Sequence, residues 1–93
     1  MDSAIPTFTA KQGQYLAFIH AYACIFARSP AEADLQHHFH VSPPSVHQMV
    51  LILERQGLIK RQPGVARSIQ LLIEPDKLPT LTAKSVKTSV QRY

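Results

Sequence analysis

The 93-residue chain contains one cysteine, three glycines and no tryptophan. A single thiol cannot build a disulfide framework, which favours a reducing compartment such as the cytoplasm. No apolar run approaches the roughly 20 residues that a membrane-spanning helix needs. The N-terminus carries Asp2, has no basic region and lacks the shape of a signal peptide. These absences, together with the length, predict one small domain in the cytoplasm.

Groups suited to catalysis are also scarce. Only six acidic residues occur, they are scattered, and neither a Ser/His/Asp arrangement nor a glycine-rich phosphate loop is present. The stretch from His37 to His40 contains three histidines, but His37 and His38 are helix neighbours that point in different directions. No thiolate or carboxylate cluster accompanies them. We therefore expect no enzyme activity, no metal site and no cofactor.

Charge is unevenly distributed along the chain. Residues 1–54 carry two basic and four acidic side chains, whereas residues 55–93 carry eight basic and two acidic ones. A basic half of this kind is typical of proteins that bind a polyanion. The alternative interpretation is a solvated basic tail without a specific role.

Start and stop signals predict three helices, at residues 10–27, 30–39 and 43–56. Helix 1 opens with a capping box in Thr9-Ala-Lys-Gln12. Helix 2 opens with Ser29-Pro-Ala-Glu32, where we expect serine to cap and proline to take the first helical position. Helix 3 opens at Ser42-Pro-Pro and ends at Gly57, which suits a left-handed C-terminal residue.

Apolar spacing predicts which helix faces are buried. Helix 1 has two apolar stripes, and the second one needs either a second subunit or the C-terminal segment to cover it. Cys24 is expected to be a buried packing residue on this helix. The predicted stripes are Leu16, Ile19, Ala23 and Phe26 and then Tyr15, Phe18, Tyr22 and Ile25 on helix 1, Ala33, Leu35 and Phe39 on helix 2, and Val46, Met49, Val50 and Leu53 on helix 3.

Two short strands follow the third helix. Residues 58–62 and 68–73 are expected to pair around a turn at Pro63-Gly64. The fold class is therefore α+β, mainly α: three helices plus a small antiparallel β-hairpin wing, as in a winged helix-turn-helix. We expect an N-terminal arm at 1–8, the domain at 9–73, and a basic C-terminal tail at 74–93. The tail is either disordered, a weak extra helix or an interface segment.

The chain resembles a known family, the N-terminal DNA-binding domain of LexA-type repressors. The segments that carry the resemblance are Phe8-Thr-Ala-Lys-Gln, Tyr15-Leu-Ala-Phe-Ile, Ser29-Pro-Ala-Glu, Ser42-Pro-Pro-Ser-Val-His, Leu53-Glu-Arg-Gln-Gly-Leu-Ile and Arg67-Ser-Ile-Gln-Leu-Leu. They span about residues 8–72. The resemblance implies a winged helix-turn-helix whose third helix enters the major groove.

Three features depart from the family's pattern. The tight turn before helix 3 usually carries a glycine, and here His40 stands in that place, which requires a histidine in the left-handed region. The family's double proline before helix 2 is reduced to Ser29-Pro30. The chain also has no room for the family's Ser-Lys self-cleaving domain, so we expect neither self-cleavage nor that domain's dimer interface.

The predicted function is sequence-specific binding of double-stranded DNA by a small transcriptional regulator, on the bacterial nucleoid. Helix 43–56 is expected in the major groove and wing 60–68 on the backbone or in the minor groove. The candidate DNA-binding residues are Ser42, Pro44, Ser45, His47, Gln48, Leu51, Lys60, Arg61 and Arg67. Ser42 is also expected to present the N-terminal amides of helix 3 to a phosphate.

The sequence is compatible with more than one kind of partner. A homodimer would gain affinity and symmetry on DNA. We expect its interface on the second apolar stripe of helix 1, which includes Tyr15 and Tyr22, and/or on the C-terminal segment after Pro75. The alternative function is a protein–protein interaction module that uses the apolar faces of helices 1 and 3 and has no DNA role. A third possibility is a DNA-binding fragment of a larger or mobile-element regulator.

Overall fold

A computed structural model describes residues 7–82 of the chain. Three α-helices are followed by a two-stranded antiparallel sheet and a short 3₁₀-helix. The elements are α1 (Ala10–Phe26), α2 (Glu32–Phe39), α3 (Pro43–Arg55), β1 (Ile59–Lys60), β2 (Gln70–Leu71) and the 3₁₀-helix Pro75–Lys77. This is the mainly helical fold with a β-hairpin that the sequence predicts. Within this part of the chain, no helix has the length and apolar character needed to cross a membrane.

The first helix begins where its capping box predicts. Thr9 Oγ1 accepts a hydrogen bond from the Gln12 N–H at 3.1 Å, and Gln12 Oε1 accepts one from the Thr9 N–H at 3.0 Å. This reciprocal pair satisfies two donors that a helix start otherwise leaves free. The helix ends at Phe26, and its C-cap residue Ala27 adopts a left-handed conformation with φ 58°.

The start predicted for the second helix is wrong. The helix begins at Glu32, with Ala31 as its N-cap, instead of at Pro30. Asp34 Oδ2 accepts a hydrogen bond from the Ala31 N–H at 2.8 Å, whereas the Ser29 hydroxyl donates to the carbonyl of Ile69 at 2.6 Å. Ser29, which the local sequence predicts as the N-cap, therefore makes a tertiary hydrogen bond to the strand region instead.

The turn between α2 and α3 has the geometry on which the helix-turn-helix depends. His40 ends α2 with φ 56°, so a histidine does occupy the left-handed position. Ser42 then caps α3, and its Oγ accepts from the Ser45 N–H at 3.3 Å. At the other end, Gly57 has φ 76° and the Leu58 N–H donates to the Leu53 carbonyl at 3.0 Å. That bond is typical of a Schellman C-cap, as the glycine predicts.

One apolar core lies between the three helices and the sheet. Most predicted core positions are buried, and Tyr15 stacks on Phe39 with ring centroids 4.2 Å apart. The core residues are Tyr15, Leu16, Ile19, Leu35, Val46, Val50, Leu53, Leu58, Ile59, Ile69 and Ile73.

Several burial predictions are wrong. Ala33 is exposed on α2, and Ala23, Cys24 and Phe26 are exposed at the end of α1. The buried residues of α1 lie between Gln12 and Tyr22, so its last turn projects beyond the core. Tyr15 and Tyr22 also differ from expectation, since both are buried inside one chain and are not available as an interface with a second subunit.

The wing is a shorter hairpin than predicted. Ile59 pairs with Leu71 and Lys60 with Gln70, and the Leu72 N–H donates to the Leu58 carbonyl at 2.9 Å on the side away from the tip. Towards the tip, the strand pairing ends at Lys60 and Gln70. Beyond it, the Ser68 hydroxyl takes the place of backbone pairing: it accepts from the Gln62 N–H at 2.9 Å and lies 2.9 Å from the Val65 carbonyl oxygen, to which it donates. A side chain therefore shapes the tip of the wing.

Residues 75–82, here called the C-terminal strap, pack back onto the start of α1. Leu78 contacts the core, and Pro79 lies so close to Gly13 that a Cβ there would be 2.9 Å from Pro79 Cγ. Gln14 Nε2 donates to the Thr80 carbonyl at 3.0 Å, and its Oε1 accepts from the Thr82 N–H at 2.7 Å. The packed region thus extends past the boundary predicted at residue 73. The rest of the predicted tail and residues 1–6 of the arm lie outside the described residues.

Candidate nucleic-acid interface

The exposed side of α3 forms a shallow, open depression. It is lined by Pro44, Ser45, Gln48, Met49 and Ile52. Three of these are predicted site residues, and the structure brings them together on one face. Leu51, also predicted there, is half-buried and lies outside this lining. Met49, predicted to be buried, contacts the core with part of its side chain and lines the depression with the rest.

The first turn of α3 is well capped but offers little to a phosphate. Pro43 and Pro44 have no N–H. The Ser45 N–H is bonded to Ser42 Oγ, and the Val46 N–H to the Ser42 carbonyl at 3.1 Å. Ser42 therefore performs its capping role, while the amides that we expected it to present are absent or already bonded.

His47 is held from the preceding helix. Its Nδ1 lies 3.2 Å from Glu32 Oε2 and 3.3 Å from Glu32 Oε1. A carboxylate only accepts hydrogen bonds, so Nδ1 carries the proton and Nε2 is left to face solvent. About half of the histidine side chain is exposed. The contact joins the first turn of α2 to the second turn of α3 and so fixes the orientation of a candidate contact residue.

The three basic residues of the wing have different surroundings. Arg61 Nε donates to Glu54 Oε1 at 3.1 Å, and only 15% of the arginine side chain is exposed. Lys60 is exposed on β1. Among residues 7–82 the ion pairs involve His47, Arg61 and Arg67, and none involves Lys60. Lys60 is therefore the wing residue whose charge is most accessible to a partner.

Arg67 is folded back onto the body of the domain. Its Nη1 donates to Tyr22 Oη at 3.0 Å, to Asp34 Oδ2 at 3.1 Å and to the Ser29 carbonyl at 3.2 Å. Its backbone is left-handed, with φ 57°. These contacts tie the wing to α1 and α2, so in this structure the guanidinium faces protein acceptors.

Asp34 is the acidic centre of that network. Partial burial disfavours its ionised form, but the hydrogen bond from the Ala31 N–H and the positive charge of Arg67 outweigh this and lower the pKa of Asp34. The carboxylate caps α2 and binds the wing at the same time. Sequence reasoning missed this role, and it also missed the contacts of Glu32 and Glu54, because each carboxylate pairs with a side chain outside its own helix.

The histidines of α2 do not form a metal centre in the described structure. Within residues 7–82 there is no group of three or more His, Cys, Asp or Glu side chains arranged to hold a metal ion. His38 instead stacks on Phe18, with ring centroids 4.4 Å apart.

Comparison with known proteins identifies relatives of this helix-turn-helix. The chain is 38% identical over 68 residues to the LexA repressor of Thermosipho africanus, a match that covers 73% of this chain and 34% of the relative. It is 39% identical over 64 residues to the LexA repressor of Thermosipho melanesiensis, covering 69% of this chain and 32% of the relative. The matched stretch is the N-terminal part of these proteins. The chain is a relative of LexA repressors.

A match to another LexA repressor covers more of the chain. The LexA repressor of Geobacter metallireducens is 30% identical over 79 residues, which is 84% of this chain and 39% of the relative. The chain thus spans about a third of the length of the LexA repressors that it matches. No protein-family model matches the chain.

Proposed function

We propose that this protein is a sequence-specific DNA-binding regulator of transcription, acting on the nucleoid in the bacterial cytoplasm. The left-handed turn at His40 sets the orientation of α3 relative to α2. The observation that carries the proposal is the exposed face of α3. In a winged helix-turn-helix this is the helix that enters the major groove. The relatives support the proposal, because the proteins that match this stretch are repressors by name.

Within this proposal the contacts have separate roles. Pro44, Ser45, Gln48 and the adjoining Leu51 meet base edges, while Ser42 orients the helix start. His47 meets a base edge through Nε2, which accepts a hydrogen bond while Nδ1 donates to Glu32. Lys60 supplies the principal phosphate contact of the wing. Arg61 makes a second phosphate contact while it keeps its ion pair with Glu54. Arg67 serves mainly to hold the wing against the body.

The test is selection from a randomised duplex pool, with sequencing of the retained DNA and fluorescence anisotropy at low and moderate salt. We expect enrichment of a defined motif and an affinity that falls as salt rises, because phosphate contacts release counterions. Lys60→Ala should weaken binding to all sequences and reduce the salt slope by about one. Lys77→Ala, an exposed lysine on the strap, is the matched control and should change neither. Binding without enrichment would contradict sequence specificity.

We also propose that the protein acts as a homodimer. Within the predicted stripe of α1, Tyr15 and Tyr22 are buried in the chain itself, whereas Ile25 is exposed and lies beside Phe26 in the last turn. Ile25 is 71% exposed and Phe26 is 53% exposed at that point. Two adjacent large apolar side chains in water are stabilised by contact with a second copy, and a two-fold dimer matches a palindromic site.

A second candidate function is docking of another protein. The observation in its favour is the apolar content of the α3 face, where Met49 and Ile52 line the depression. The selection experiment separates the two functions, since a docking module would retain no duplex even at low salt. A role as the DNA-binding part of a larger regulator is compatible with the proposal, because the relatives are about three times as long as the matched stretch.

A further inference from the structure

The chemistry of the α3 depression restricts which bases it can recognise. Its lining consists of three carbon-rich side chains, those of Pro44, Met49 and Ile52, and two neutral polar ones, those of Ser45 and Gln48. None of the five is charged. His47 is held through Nδ1 by Glu32, and Arg61 is paired with Glu54. Arg55, in the last turn of α3, lies outside the lining.

Each base pair presents a different pattern in the major groove. Guanine is read mainly by arginine or lysine, and the cytosine amino group by an aspartate or glutamate. Adenine is read by the amide of glutamine or asparagine, and thymine is distinguished by its 5-methyl group, which apolar side chains contact. The depression lacks the side chains that read G·C pairs and contains those that read A·T pairs.

We propose that the α3 depression reads A·T base pairs, with Gln48 on an adenine and Pro44, Met49 and Ile52 against thymine methyl groups. This inference rests on the proposed function and adds the class of operator to it. Burial of a methyl group against these side chains supplies discrimination that needs no charged contact. Phosphate contacts from the wing, such as that of Lys60, supply the affinity that is independent of sequence.

The experiment removes only the methyl groups. The duplex enriched by selection is synthesised with deoxyuridine in place of single thymidines, which keeps pairing and hydrogen bonds and deletes the 5-methyl group. We expect affinity to fall about fourfold for each contacted thymine, the value of one buried methyl group. Thymines outside the conserved half-site serve as internal controls and should show no change.

A variant tests whether α3 is the source of the effect. Ile52→Ala removes apolar surface from the depression, so replacement of the thymine opposite it by deoxyuridine should no longer weaken binding. Leu72→Ala is the control, because Leu72 is 52% exposed but lies outside the depression, and it should keep the full uracil effect. Circular dichroism of both variants checks that the helices are retained, and the wild-type measurement stands by itself if Ile52→Ala does not fold.

The outcomes separate this inference from the function on which it rests. A motif of A·T pairs whose affinity drops on uracil substitution supports both. A motif dominated by G·C pairs, or thymines whose methyl groups contribute nothing, would overturn the inference and leave the DNA-binding function intact. Absence of any bound duplex would overturn the function and this inference with it.

Discussion

At the scale of single residues, the wing is distinguished by the different surroundings of its basic side chains. Lys60, Arg61 and Arg67 look equivalent in the sequence, yet Arg61 is paired with Glu54 and Arg67 binds three acceptors on α1, α2 and the loop between them. Similar charges can therefore be accessible to a partner at one position and engaged within the fold at another.

The role of Arg67 can be tested by Arg67→Lys. A lysine keeps the charge but lacks the planar fork that reaches several acceptors at once, so we expect the urea midpoint of unfolding to fall. Lys60→Ala should leave that midpoint unchanged while lowering DNA affinity. If Arg67→Lys unfolds at the wild-type midpoint and loses DNA affinity as Lys60→Ala does, the guanidinium acts on DNA and not on the fold.

His38 makes stability depend on pH. Burial against Phe18, and then the nearby charge of His40, lower the pKa of His38 below its ordinary value of about 6.5. The unfolded chain therefore takes up the proton first as pH falls. Stability from the neutral ring is fully present above about pH 6.5 and is lost as pH falls through the folded pKa.

We expect urea titrations between pH 7 and pH 5 to show falling stability in the wild type. The slope should be smaller in His38→Phe, which keeps the stacked ring and has nothing to protonate. His37→Gln, at an exposed position on the same helix, should retain the wild-type slope. Asp34 acts in a separate window, since its lowered pKa delays the loss of its contribution until pH falls below about 4. Equal slopes in His38→Phe and the wild type would exclude this role for His38.

At the scale of elements, the turn between α2 and α3 is under backbone strain. His40 has φ 56°, a conformation that costs a residue with a Cβ about 1 kcal/mol. We expect His40→Gly to raise the free energy of unfolding by about 0.5 kcal/mol, because part of the gain is lost to greater freedom of the unfolded chain. His37→Gly, inside α2, should instead lower it by about 1 kcal/mol. Destabilisation by His40→Gly would mean that the imidazole makes a contact worth more than the strain.

The contact between α1 and the C-terminal strap depends on a glycine. A Cβ at Gly13 would lie 2.9 Å from both Phe8 Cε1 and Pro79 Cγ. Alanine would gain about 1 kcal/mol of helix propensity, but overpacking typically costs about 1–3 kcal/mol. Because the clash involves rings on both sides, we expect it to prevail and Gly13→Ala to destabilise the domain by about 1 kcal/mol.

A second substitution shows whether the strap is the cause. Pro79→Ala removes the ring that Gly13→Ala would strike, so the double variant should be less destabilised than the sum of the two single variants. Thermal unfolding measures the three variants, and amide exchange at Thr82 reports whether the strap stays bound to Gln14. Strict additivity would assign the clash to Phe8 alone.

At the scale of the whole molecule, the proposed dimer depends on the exposed end of α1. Ile25→Ser combined with Phe26→Ser should give the mass of a monomer by light scattering, at a concentration where the wild type is a dimer. The reason is the loss of the two most exposed large apolar side chains of the helix. Leu72→Ser, at a comparable exposure, is the control and should remain a dimer. A wild-type protein that stays monomeric at its highest soluble concentration would contradict the proposal.

The existence and order of the helices, the wing and most of the core were determined by sequence alone. Caps, glycine and apolar spacing are local signals: the Thr9 capping box, Ser42 and Gly57 each act within a few residues of themselves. The left-handed turn at His40 was also foreseen, because the resemblance to LexA-type domains marked that position as a glycine site. The similarity to LexA repressors, first indicated by short motifs, covers 73% of the chain in the match to the Thermosipho africanus protein.

Only the tertiary structure decided which groups remain available to a partner. Ser29 donates to the Ile69 carbonyl instead of capping α2, and Arg67 donates to Asp34. Tyr22 is buried within the chain instead of lying in a subunit interface. The residues joined in these contacts lie more than 30 positions apart, and no local pattern encodes such a pairing. The free energy of a hydrogen bond or buried ring depends on what three-dimensional packing brings next to it. That dependence separates Lys60 from Arg67, although both are basic residues of one short hairpin.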